Sequence, residues 1–170
     1  GSDWGLSAKA RIVRFTRDLE QPKTIAQNLR GCCQRLDLAA RDGVLYVAEN
    51  ARHRVLRYDA EGKLLASWGE QSRDDVEGFG SCCNPMNIVF GPQGELFTSE
   101  SGLGRVKRYS PEGQFLGLVG EVGVPRFTRA GRTSIACSNI TIDVSPDGTR
   151  VFVQDLNRNI IRVLLKQDVP

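Results

Sequence analysis

The residues best suited to chemistry in this chain are its five cysteines, Cys32, Cys33, Cys82, Cys83 and Cys137. Four form two adjacent pairs, and the pairs recur about 50 residues apart. A thiolate is a soft ligand for zinc, copper(I) or an iron–sulfur cluster. No C-x-x-C is present, so a metal site would have to be assembled by the fold rather than by a local knuckle. Two other uses compete. Cysteine is commonly a small buried packing residue. Cys32-Cys33 and Cys82-Cys83 could also close as vicinal disulfides, which requires an oxidising compartment. Five is odd, so pairing within one chain leaves at least one thiol.

Other candidates are fewer. His53 is the only histidine, so a Ser-His-Asp triad could use no other, and a multi-histidine metal site cannot be built within one chain. No H-E-x-x-H, P-loop or dinucleotide fingerprint appears. The sequence therefore names no catalytic group. Arg126, Arg129 and Arg132, with Phe127 among them, form a candidate anion- or partner-binding patch, against the plainer reading of a solvated basic loop.

These residues are placed by a repeat. Leu36 to Gly69 and Met86 to Gly120 match nearly end to end, with one residue inserted in the second. Each copy reads as a short alternating strand, a Gly turn and a second strand ending in an acid, Glu49 or Glu100. A third strand built on R-V-x-R-Y follows, then a D-A-E-G or S-P-E-G turn and a fourth strand. Turn residues at these intervals between period-2 runs are hairpin punctuation. A third copy begins at Asn139, has its second-strand acid at Asp155, and lacks a fourth strand. Ala10 to Asp18 and Leu19 to Leu29 supply the third and fourth strands of an earlier copy, and Trp4 to Ala8 a remnant of its second.

The expected fold is all-β, with β-propeller blades of four antiparallel strands in an incomplete ring. The segments are 4–29, a partial blade; 34–70 and 84–120, two complete blades; and 138–166, a blade without its fourth strand. Propellers close with about four to eight blades. Two full and two partial blades do not, so the chain reads either as part of a longer propeller or as part of an oligomeric ring. The leading arrangement is a homodimer forming a six-bladed ring, because an open arc leaves apolar blade faces in water.

Register turns the thiols into a candidate site. Cys33, Cys83 and Cys137 each lie three residues before an equivalent position, Leu36, Met86 and Ile140. The first strand is the innermost of a blade, so these sulfurs are expected to converge near the central channel, with Cys32 and Cys82 beside two of them. The connections 70–81 and 121–136 are longer than the repeat needs and should cover the same face, where a rigid scaffold commonly carries binding residues. A ring of Glu49, Glu100 and Asp155 could hold calcium. The simpler expectation pairs Glu49 with Arg54 and Glu100 with Arg105 across a hairpin.

The stretch Val44 to Leu65, VLYVAENARHRVLRYDAEGKLL, resembles an NHL repeat. Ala48-Glu49, His53-Arg54 and Asp59-Ala60-Glu61-Gly62 occupy that family's Ala-Asp, His-Arg and turn positions. The later copies depart from it, with Gly104-Arg105 and then Asn159-Ile160. The resemblance implies a propeller and gives His53 a structural role. It implies no single activity, because one such fold hosts lyases, hydrolase-like enzymes and binding platforms.

Composition excludes several classes. Hydrophobic residues are 40% and charged residues 25%, as in a folded chain. The net charge of +3 and an aromatic content of 7% disfavour a nucleic-acid surface with stacking platforms. No apolar run approaches the roughly 18 residues needed to span a bilayer. Oxidised cysteines would point to an exported or periplasmic protein, reduced ones to the cytoplasm.

Overall fold

The computed structural model describes residues 9–32, 35–123, 127–129, 132–134, 140–155 and 158–166, with the backbone alone at 127–129 and 132–134. Fifteen strands are present among them. The pair β1 (Ala10–Arg14) and β2 (Lys23–Leu29) forms a two-stranded sheet. A four-stranded meander follows, β3 (Asp37–Arg41), β4 (Val44–Glu49), β5 (Arg54–Tyr58) and β6 (Leu64–Trp68). A second comprises β7 (Asn87–Phe90), β8 (Leu96–Ser99), β9 (Arg105–Tyr109) and β10 (Phe115–Glu121). A hairpin of β11 (Phe127–Arg129) and β12 (Arg132–Ser134) precedes a three-stranded sheet, β13 (Ile140–Val144), β14 (Arg150–Asp155) and β15 (Ile160–Leu165). All the strand pairs in these sheets are antiparallel. Among the described residues no helix is long and apolar enough to cross a membrane.

Local chemistry sets these hairpins. Asp42 and Gly43 both have positive φ, 51° and 76°, and close β3 onto β4 in two residues. The Asp59 carboxylate accepts the Glu61 and Lys63 amides at 2.9 and 2.8 Å, and the Ser110 hydroxyl takes the Glu112 and Gln114 amides in the corresponding turn.

Side-chain alternation then packs one blade on the next. Tyr46, Ala48 and Val55 of the first complete blade meet Ile88, Leu96 and Tyr109 of the second. Phe97 and Val106 of the second meet Ile140, Ile142, Val151 and Val153 of the third sheet. Ala26 and Leu29 of the leading sheet pack on Val47 and Leu56. The sheets thus form an arc of propeller blades with no closed ring. The innermost strands are tied by a repeated relay. An Asp37 carboxylate oxygen on β3 accepts the Ile88 amide on β7 at 2.7 Å and the Asn87 side-chain amide. The Asn87 side-chain oxygen accepts the Ile142 amide on β13 at 2.8 Å.

The two ends of the arc expose what the middle buries. Strand pairing makes Val55, Val106 and Ile161 equivalent, opposite Ala48, Ser99 and Gln154. Val55 and Val106 are 0% exposed, but Ile161 is 67% exposed, because among the described residues no sheet packs over it. At the other end Leu38 is 46% exposed, while its equivalents Ile88 and Ile142 are 4% and 7%, because the leading sheet has two strands among the described residues.

Candidate functional site

In the two complete blades the connection into the first strand and the turn between second and third strands reach the same end of the sheet. That end gathers Cys32, Cys82 and Cys83, the acids Glu49 and Glu100, and residues 70–81. There Cys32 is joined to Cys83 in a disulfide, with Cα atoms 5.2 Å apart. The bond replaces both expected vicinal pairings. It also runs diagonally across the repeat, from the upstream member of the first cysteine pair to the downstream member of the second. As disulfide sulfurs, Cys32 and Cys83 are not thiolate ligands. Cys82 is exposed. Cys33 and Cys137 lie outside the described residues. Among the described residues no group of three or more His, Cys, Asp or Glu side chains is placed to hold a metal. Arg126, and the side chains of Phe127, Arg129 and Arg132, are likewise outside the described residues.

The recurring acids are spent on structure. Glu49 is fully buried and accepts from Arg54 Nε at 2.6 Å, Arg52 Nη1 at 2.6 Å and the Arg30 amide at 2.8 Å. Glu100, also fully buried, accepts two bonds from Arg105 at 2.9 Å and the Gly80 amide at 2.7 Å. Both cross-hairpin pairs expected from sequence are therefore present. Each acid also holds the amide of the incoming connection, which fastens that connection to the blade end. Asp155 accepts the Arg158 amide at 3.2 Å and its guanidinium at 3.3 Å.

Lys107 is the residue that the repeat alone does not single out. It occupies the place of Leu56 in the first blade, in R-V-K-R-Y against R-V-L-R-Y. Its side chain is fully buried, 2.9 Å from a Glu100 oxygen, with its ammonium 4.2 Å from the centre of the Phe79 ring. Burial lowers its pKa, and the Glu100 charge opposes that shift. Lys107 also donates to the Gly78 carbonyl at 2.8 Å, Arg105 donates to the same carbonyl at 3.2 Å, and the Tyr109 hydroxyl donates to the Glu77 carbonyl at 3.1 Å. Residues 70–81 are thus a strap clamped to the second blade, with Phe79 fully buried in the core beneath it. A cleft of about 400 Å³ lies between this strap and the Trp68, Tyr109 and Phe115 rings, and its lining includes Ser67 and the acids Glu70, Asp75 and Glu77.

His53 stands in a turn, with φ of 53°, directly before β5. Gly104 and Asn159, in the same place before β9 and β15, have φ of 71° and 55°. The shared demand is a left-handed backbone, which Gly, Asn and His meet at low cost. The imidazole Nδ1 is buried without a hydrogen-bond partner, and burial lowers its pKa against the opposing charge of Glu100.

No protein-family model matches the chain. No curated protein matches it by sequence. Solved structures do match. A candidate 6-phosphogluconolactonase from Bacteroides uniformis aligns with a TM-score of 0.55 and 15% identity, over 95% of this chain and 47% of that one. A protein of unknown function from Bacteroides caccae aligns at 0.45 and 14%, over 91% and 54%. A catalytically inactive variant of virginiamycin B lyase from Staphylococcus aureus, with quinupristin, aligns at 0.48 and 17%, over 92% and 49%. At these identities the likeness shows the propeller-type fold alone. The chain spans about half the length of the structures it matches.

Proposed function

We propose that this chain is a non-catalytic propeller scaffold that works by association, its β13–β15 face receiving a further blade from a second copy. The observation that carries this reading is the 67% exposure of Ile161, where Val55 and Val106 are fully buried by the following blade. Val163 and Leu165 extend the same apolar face, and β15 leaves its outer edge unpaired within this sheet. The Val44 to Leu65 motif supports an NHL-type blade. The Cys32–Cys83 bond favours a covalent staple between two blades, in an oxidising compartment, over a thiolate metal or iron–sulfur site. A thiolate site would need that bond reduced.

Sedimentation equilibrium tests the assembly. A mass of about twice 18.8 kDa is expected, and Ile161→Asp should return it to one chain with its circular dichroism intact. A wild-type monomer at every concentration, unaffected by I161D, would overturn the proposal.

A further inference from the structure

A second cleft, of about 240 Å³, opens between the two complete blades at the end opposite the disulfide. Arg41, from the end of β3, and Arg57, from β5, both line it. The repeat shows why Arg57 is unusual. Arg14 holds the same place in β1 and donates to the Ala60 carbonyl at 2.7 Å, in the next blade's turn. The corresponding carbonyl for Arg57 is that of Pro111, and the Tyr46 hydroxyl occupies it at 3.1 Å. Arg57 makes no ion pair among the described residues; its guanidinium meets the Tyr46 hydroxyl, and its buried Nε has no acceptor. Arg41 donates from Nη1 to the Gly91 carbonyl at 2.9 Å and, at the longer distance of 3.5 Å, from Nη2 to the Pro92 carbonyl. Its carboxylate contact is Asp42, at 3.4 Å on the open rim, where screening by water makes it weak.

Each guanidinium is seated 5.8 Å from an aromatic ring centre, Arg41 over Phe90 and Arg57 over Tyr46. Stacking fixes a guanidinium without consuming its N–H donors. Two positioned cations therefore face one small cavity whose lining has a single, exposed acid. We propose that this cleft binds a phosphate group between Arg41 and Arg57. A dianion matches the two cations, and forked N–H donors match its oxygens. The volume is below the usual range for drug-sized ligands, which limits the occupant to inorganic phosphate or a short phosphate ester.

Calorimetric titration of the wild-type chain with inorganic phosphate tests this. A dissociation constant on the order of 1 mM is expected, weakening as salt rises. Arg57→Gln and Arg41→Gln should each weaken binding by about tenfold or more, and Arg57→Lys should recover only part of the loss. Arg17→Gln, at an exposed arginine outside the cleft, should leave binding within about twofold. Acetate, a monoanion, should bind several-fold more weakly than phosphate. Wild-type binding by both glutamine variants, or equal losses in Arg17→Gln, would overturn the site. If Arg57→Gln loses its fold by circular dichroism, Arg41→Gln decides the question.

Discussion

His53, Gly104 and Asn159 share almost no side-chain chemistry, yet each carries the same left-handed turn into a third strand. Backbone geometry is what the position requires, so His53→Asn should fold with a stability change below about 1 kcal/mol. His53→Val places a β-branched residue at positive φ and should cost about 1–2 kcal/mol, read from urea midpoints. The imidazole has one further effect. Burial lowers its pKa, so the unfolded chain binds the proton more tightly than the folded one. Stability should be full above the ordinary imidazole value and decline as pH falls through about 6.5. His53→Asn should flatten that slope between pH 7.5 and 5.5. Glu100 carries a heavier charge balance. Glu100→Gln would leave Arg105 and Lys107 buried without their anion, at a cost of about 3–5 kcal/mol in denaturant unfolding. The pairs Glu49–Arg54 and Glu100–Arg105 were legible in sequence because hairpin register fixes cross-strand neighbours. Lys107 was not, because a lysine in a strand reads as solvent-facing until the strap over it is seen.

Strands and turns were the most legible level, since period-2 alternation and Asp-Gly or Glu-Gly turns encode them locally. Connections were less so. Residues 70–81 read as a long loop over the cysteine face, but Phe79 buries its ring between blades, and Arg105, Lys107 and Tyr109 clamp the rest through its backbone carbonyls. The disulfide was illegible for a related reason. Repeat equivalence groups sulfurs by register, whereas pairing depends on how two neighbouring blades are offset in space. Cys32 and Cys83 are 51 positions apart and close a loop that contains a whole blade. By chain-entropy reasoning such a cross-link stabilises by about 4 kcal/mol. Cys83→Ser should lower the urea midpoint accordingly, and reduction of the wild type should lower it by a similar amount.

At the scale of the whole chain, the arc has unlike ends. One end presents Leu38 beside a two-stranded sheet, and the other presents Ile161, Val163 and Leu165 on a three-stranded one. The same asymmetry runs through the channel strands. At both steps of the relay the acceptor side chain belongs to the earlier blade and the amide to the later, from Asp37 to Ile88 and from Asn87 to Ile142. Thr141 stands next in that series, opposite Gln154 as Asn87 is opposite Ser99. The arc therefore has a polarity, like a filament with a leading and a trailing tip. Two copies that meet through these surfaces must do so head to tail. A mutually facing pair would set acceptor against acceptor at one end, or amide against amide at the other. A head-to-tail contact either closes or propagates, so the curvature of the blades alone separates a finite ring from an open polymer.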